Sequence, residues 1–205
     1  MTSELERLRQ VMARLRSSCP WDAKQTHQSL LTHLIEETAE VVDAVETGDD
    51  TDLAEELGDL LLQVYFHAQI AQESGRFDLE DVARGITDKL IRRHPHVFAG
   101  EAVPDDMWQS WEERKRTEKG RTSALDGIAG ALSALARTQK VISRARTHGV
   151  VLDLPSEAVA ADEVGRQIVD LVARAQVCGI DADAATRAAL RDLEAEIVEA
   201  ESAEE

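Results

Sequence analysis

Glu37-x-x-Glu40 and Glu56-x-x-Asp59 are two pairs of carboxylates, each with its members three residues apart. On a helix that spacing puts both side chains on one face about one turn apart. Like charges that close repel, so such pairs either lie fully in water or surround a divalent cation. Their setting is one-signed as well: from Thr26 to Gly75 the chain carries twelve Asp or Glu and no Lys or Arg. Acidic pairs on a solvated helix are ordinarily offset by Lys or Arg at i+4, and here none exists. Four carboxylates brought together between two helices make a hard-oxygen site suited to Mg²⁺ or Mn²⁺. A di-iron bundle would need Glu-x-x-His, and no Glu in this chain has His three residues later.

The elements that must position these groups are helical. Leu5, Leu8, Val11, Met12 and Leu15 form one stripe of a first helix over Glu4 to Arg16, which Ser17 to Pro20 ends. A long helix is predicted from Thr26 to Glu46, breaking at Gly48. A third is predicted from Asp52, whose Asp52-x-x-Glu55 resembles a capping box, to Gly75. On the second helix Leu30, Leu31, Leu34, Ile35, Val41 and Val45 share one arc, with Glu37 at its border and Glu40 and Glu36 just beyond. On the third, Leu53, Leu57, Leu60, Leu61 and Val64 share an arc, with Glu56 beside it and Asp59 further round. Both acidic pairs therefore flank apolar surface, and a short turn would pack the two helices antiparallel. A fourth helix spans Asp78 to Arg93 and is stopped by Pro95, His94 to Pro104 reads as loop, and Met107 to Lys119 reads as a charged helix with Trp108 and Trp111. After a compositional change at Gly120, helices are expected over Ala131 to Arg146, Ser156 to Val177 and Asp183 to Ala200, with the final ESAEE frayed.

The whole composition agrees with an all-α fold: 43% hydrophobic, only 3% aromatic, four Pro, and no alternating β-branched runs. A chain of 205 residues suits one medium domain, or one with a smaller appendage. The formal charge of −17 argues against extended nucleic acid as a partner, since that binding rests on clustered Lys and Arg. The opening MTSELERLRQVM lacks the apolar core of a signal peptide, and no apolar run approaches the ~20 residues of a membrane span, so no membrane association and a cytoplasmic location are expected. Cys19 and Cys178 stand far apart outside any CxxC setting, which suggests neither a disulfide framework nor a thiolate zinc site. His94 and His96 have the look of a metal pair, but the Pro between them reads as a helix-ending loop.

Glu36-Glu37-x-x-Glu40, fifteen residues, then Glu56-x-x-Asp59 resembles the EExxE...ExxD signature of the all-α nucleoside triphosphate pyrophosphohydrolases. CPWDAKQTHQSL (Cys19 to Leu30), ELGDLLLQVYFHAQIAQE (Glu56 to Glu73) and DKLIRRHPHVF (Asp88 to Phe98) are similar to the MazG family within them. The resemblance covers roughly residues 5 to 148. It implies Mg²⁺-dependent hydrolysis of a nucleoside triphosphate to the monophosphate and pyrophosphate, in a house-cleaning role toward non-standard or surplus nucleotides. By motif position it implies that Glu37, Glu40, Glu56 and Asp59 ligate metal and that Glu36 supports the site or orients the attacking water. Lys89 and Arg93 fall at the family's basic positions for the phosphate chain, although cations at a helix C-terminus also suit the macrodipole. Trp21 and Asp22 match positions near the nucleotide, where Trp21 either stacks on the base or anchors the loop. The family's bundle is completed by a second copy, so a homodimer is expected.

The second half departs from the family pattern. Ser123 to Val150 is similar to the start of a second related domain, but no second EExxE helix follows. In DEVGRQIVDLVARAQ (Asp162 to Gln176) Glu163 stands at an ExxD position while Arg166 replaces the acid. A cation there opposes metal binding, so residues 1–120 are expected to hold the catalytic domain and residues 121–205 a shortened, inactive helical region. The rival to the enzyme is a non-catalytic helical protein that senses nucleotide or a protein partner.

Overall fold

A computed structural model describes residues 3–203. Those residues form nine α-helices and one short 3₁₀ turn, with no strand. The chain divides into two compact units, Met1–Gly100 and Glu101–Glu205. The compositional change at Gly120 thus falls inside the second unit, where Gly120 adopts a left-handed conformation just after a helix end.

The first unit contains α1 (Glu4–Ser18), the 3₁₀ turn (Asp22–Lys24), α2 (Leu31–Thr47), α3 (Asp50–Glu73), α4 (Leu79–Arg93) and a single turn, α5 (Pro95–Phe98). The sequence expectation of loop from His94 onward is corrected here, because Pro at the first helical position supports one turn before Ala99. α2 also starts later than Thr26. Thr26 and Ser29 do exchange backbone-to-hydroxyl hydrogen bonds of 2.9 and 3.1 Å, but these close a separate turn ahead of the helix.

Gly48 and Asp49 make the connection that orients the acidic helices. Gly48, at φ 75°, ends α2 in the left-handed region open to glycine. Asp49 then caps α3, accepting from the backbone N–H groups of Thr51 and Asp52 at 2.8 and 3.2 Å. The cap is therefore Asp49, and the Asp52-x-x-Glu55 capping box expected from sequence does not form. The box appears one helix later, where Asp78 and Asp81 satisfy each other's backbone N–H groups at the start of α4.

Met12, Leu30, Tyr65 and Phe66 form the core of this unit, with Leu8, Leu61, Leu62, Ile70 and Leu79 packed around them. Of the expected α1 stripe, only Met12 is fully enclosed, while Leu5, Val11 and Leu15 stay exposed. Arg16 ties the C-terminal end of α1 to that of α3. Its side chain is only 9% exposed and reaches Glu73 at 2.5 Å, and it also donates to the carbonyls of Asp22 and Gln25. The guanidinium holds the Glu73 carboxyl below the usual range. Arg16→Gln should lower stability by about 1–3 kcal/mol, because it strands buried acceptors as well as removing an ion pair. A depressed carboxylate pKa contributes stability above the unfolded value and loses it as pH falls through the folded one. Urea unfolding should therefore show the gap between wild type and Arg16→Gln narrowing once pH drops below about 4.5, the ordinary Glu value. A gap that is the same at pH 3 and pH 7 would remove the Glu73 pair from this account.

The second unit holds α6 (Met107–Lys119), α7 (Ala134–Thr147), α8 (Ala161–Val177) and α9 (Ala182–Ala203). Residues 156–160, expected to be helical, precede α8 without helical structure. Ala124, Val141, Ala145, Val150, Leu190 and Ile197 form its core, with Leu125, Ile128 and Leu193 against them. The expected fraying of ESAEE is corrected as far as Ala203, since Glu201 accepts the Ala124 N–H at 2.7 Å and holds the last turn of α9 in place. Glu204 and Glu205 lie outside the described residues. Among the described residues no helix is long and apolar enough to cross a membrane.

Candidate metal centre

α2 and α3 project carboxylates into one place. Glu37 on α2 and Glu56 and Asp59 on α3 each offer an oxygen, and these three atoms all lie within 4.8 Å of one another. Among the described residues this is the one group of three or more His, Cys, Asp or Glu side chains so arranged. All three side chains are half-buried. Burial pushes the Glu37 carboxyl up, and the charges of Asp59, Glu40 and Glu56 push it further. Glu56 is raised in the same way, by desolvation and then by Glu40 and Asp59. Glu40 is exposed at the rim, where its charge acts on both. None of the four is held in an ion pair with a described Lys, Arg or His. Two carboxylates kept above their ordinary pKa by burial and by neighbouring negative charge are stabilised by a cation brought between them.

The remaining candidate residues are placed as follows. Glu36 is exposed and sits 3.3 Å from His33 Nδ1. Trp21, 54% exposed, meets His33 edge-on with ring centroids 6.1 Å apart and Phe66 at 6.5 Å. Asp22 begins the 3₁₀ turn, and its carbonyl is one of the two that Arg16 holds. Lys89 is half-buried and Arg93 buried, four residues apart in the last turns of α4. His94 and His96 meet edge-on at 5.7 Å, with His94 Nδ1 2.7 Å from the Leu90 carbonyl oxygen, so this pair ends a helix.

The MazG nucleotide pyrophosphohydrolase domain matches residues 25–98, the segment that carries all four carboxylates and the basic pair. A nucleoside triphosphate pyrophosphohydrolase of Escherichia coli K12 is 40% identical over 187 residues, which covers 87% of this chain and 70% of that protein. The chain belongs to the MazG family. An uncharacterized 26.1 kDa protein of Streptomyces cacaoi is 42% identical over 185 residues, covering 88% of this chain and 75% of its own. A nucleoside triphosphate pyrophosphohydrolase of Mycobacterium tuberculosis is 42% identical over 161 residues, covering 77% of this chain and 50% of its own. A crystal structure of a mazG-related protein from Thermotoga maritima aligns at 34% identity with a TM-score of 0.48, over 54% of this chain and 98% of that one.

The donor set of this MazG chain fits a hard divalent cation, for it consists of carboxylate oxygens with no thiolate or imidazole among them. His33 is the neighbour that sequence reasoning passed over. It precedes Glu37 by four residues and Glu36 by three, which puts it on the same face of α2 one turn earlier, between Trp21 and the carboxylates. That spacing was visible in the sequence, but the approach of Trp21 was not. In the second unit Arg166 pairs with Asp162 at 3.0 Å and Glu163 accepts from Gln167 at 2.9 Å, both on the exposed surface of α8.

Proposed function

We propose that this chain hydrolyses nucleoside triphosphates, ribo or deoxy, to the monophosphate and pyrophosphate in a Mg²⁺-dependent reaction in which Mn²⁺ can substitute. The observation that carries the reading is the convergence of Glu37, Glu56 and Asp59 within 4.8 Å, with Glu40 at the rim and no described Lys, Arg or His paired to any of them. An acidic site by itself repels a triphosphate, so substrate and site are compatible only with metal between them. When bound, the metal neutralises phosphate oxygens and lowers the pKa of a coordinated water. The four carboxylates hold it and stay ionised in doing so. Glu36, one residue from the ligands, orients the attacking water. Trp21 offers an exposed ring face on which a base can stack, with Asp22 beside it. Lys89 and Arg93 bind the phosphate chain and neutralise charge that develops on the departing pyrophosphate.

The same reading assigns catalysis to residues 1–120 and treats 121–205 as a shortened second helical region without a metal site, in keeping with the Arg166–Asp162 pair. It also includes a homodimer. Leu31, Ile35, Val45, Leu57 and Val64, on the arcs that flank the carboxylates, are left exposed, Ile35 at 69%. A second copy laid on that face would bury it and enclose the substrate. The biological role in this reading is cytoplasmic removal of non-standard or surplus nucleotides.

The test is a panel of canonical and damaged NTPs and dNTPs incubated with purified protein, with and without Mg²⁺, in ¹⁸O water. Metal-dependent monophosphate plus pyrophosphate is the expected result, and label in the monophosphate would mark attack at the α phosphorus. Diphosphate and orthophosphate as products would overturn the reaction assignment. No turnover of any member by well-folded protein would leave a nucleotide-sensing role in its place.

A further inference from the structure

His27, in the turn that precedes α2, meets His67, in the later part of α3. Their rings stack with centroids 5.0 Å apart and planes 3° from parallel, and Nδ1 faces Nδ1 at 2.7 Å. On its other side His27 Nε2 lies 2.5 Å from Arg76 Nη2. Arg76 follows Gly75 in the connection between α3 and α4, where its Nε donates to Ser74 Oγ at 2.8 Å and its guanidinium lies 5.8 Å from the centre of the Phe77 ring. One row of nitrogen atoms thus joins three stretches of the first unit.

Elimination fixes the protons along that row. A guanidinium only donates, so His27 Nε2 accepts from Arg76 and the His27 proton sits on Nδ1. That proton is donated to His67 Nδ1, which leaves the His67 proton on Nε2. His67 Nε2 is buried without a hydrogen-bond partner, so among the described residues the bond from His27 is the one polar tie of that ring. Both imidazole lone pairs are therefore occupied. A further proton on His27 Nε2 would face the Arg76 donor, and one on His67 Nδ1 would face the His27 N–H, so charging either ring breaks a contact of the row.

No carboxylate offsets a charge placed here. The charged and titratable groups on the adjoining elements are Arg16 of α1, Asp22 and Lys24 of the 3₁₀ turn, His33 and Glu36 of α2, Glu73 of α3, and Asp78 and Asp81 at the head of α4. Glu73 is bound to Arg16, Glu36 lies beside His33, and Asp78 and Asp81 cap α4. Among the described residues no Asp or Glu pairs with His27 or His67. Burial holds the His67 imidazole below its ordinary 6.5, and His27 lowers it further.

We propose that His27, His67 and Arg76 form a proton-sensitive clasp, which pins the turn ahead of α2 to α3 and to the α3–α4 connection at neutral pH and releases it in acid. The clasp uses no residue of the carboxylate site and stands independently of the catalytic reading. A histidine kept neutral by the fold contributes stability above its ordinary 6.5 and loses it as pH falls toward the depressed folded value.

Nuclear magnetic resonance of the ¹⁵N-labelled full chain tests the clasp directly. At neutral pH, long-range ¹H–¹⁵N spectra should show the proton on Nδ1 of His27 and on Nε2 of His67. As pH is lowered both rings should titrate together at a midpoint below 6.5, with the amides of residues 26–30 and 74–77 moving at the same midpoint. Arg76→Leu vacates the His27 Nε2 lone pair and removes a neighbouring cation, and should raise the midpoint by about one pH unit. Urea unfolding supplies a second readout: wild type should lose stability in acid faster than the His27→Phe, His67→Phe double variant, the ratio of their unfolding constants changing by up to about tenfold per pH unit below 6.5. Should the double variant fail to fold, Arg76→Leu keeps both imidazoles and carries the comparison. A proton on Nε2 of His27 at neutral pH would overturn the clasp. So would rings that titrate separately near 6.5 without movement of those amides, or an unfolding ratio that does not change with pH.

Discussion

Glu56→Gln and Asp59→Asn should each reduce metal-dependent nucleotide hydrolysis by about 10²–10⁴-fold while the helical circular-dichroism spectrum stays that of wild type. The magnitude follows from the several kcal/mol that a polarising cation contributes to a phosphoryl transition state, at about 1.4 kcal/mol per tenfold. The preserved fold follows from what these groups do without metal. Glu56 is raised above the ordinary carboxylate value by burial and by the charges of Glu40 and Asp59, so its ionised form is held at a cost. Replacing it with a neutral isostere removes repulsion and leaves the core of Met12, Leu30, Tyr65 and Phe66 untouched. Glu40→Gln should behave in the same way with a smaller loss, because Glu40 sits exposed at the rim outside the 4.8 Å group. Wild-type turnover in Asp59→Asn would remove Asp59 from the metal site.

The second large effect is thermal. Mg²⁺ at 100 times its Kd should stabilise the metal-binding fold by about 2.7 kcal/mol, or roughly 5–10 °C in Tm for a chain of this size. The increment should depend on pH with a definite sign. Glu37 and Glu56 bind protons more tightly in the folded than in the unfolded protein. The metal-free protein is therefore relatively favoured at low pH and loses that advantage as pH rises through the raised folded values. Metal requires the ionised carboxylates, so the Mg²⁺ increment should be fullest at pH 7–8 and fade as pH falls toward 4.5, the ordinary Glu value. Glu37→Gln should melt at or above the wild-type temperature without metal and gain little from Mg²⁺. Differential scanning fluorimetry over a pH and Mg²⁺ grid measures both. An unchanged Mg²⁺ increment in Glu37→Gln would remove Glu37 from the metal site.

Those expectations draw on features of two kinds. The i, i+3 pairs, the missing Lys and Arg and the Gly48 break are properties of contiguous chain, and helix periodicity translates them directly into faces. Glu37, Glu56 and Asp59 fall together because two helices joined by Gly48 and Asp49 have little choice but to pack side by side. The cap was misread by three residues for a local reason: Asp49, Asp50 and Asp52 all have capping chemistry, and only the backbone conformation selects among them.

Composition and spacing by themselves determined the all-α character and the order and rough extent of the long helices, and pointed to four carboxylates, of which Glu37, Glu56 and Asp59 converge. Tertiary structure alone decided which apolar residues are covered. Leu30 is fully enclosed while Leu31 and Ile35, on the same predicted arc, are exposed, because a helical arc is broader than the neighbour that packs on it. It also decided that Arg16 meets Glu73, 57 residues away, and that Arg144 reaches toward Glu112. Partners so distant in sequence follow from which helix faces meet, and that is settled by the packing of the whole unit rather than by the local period of any one segment.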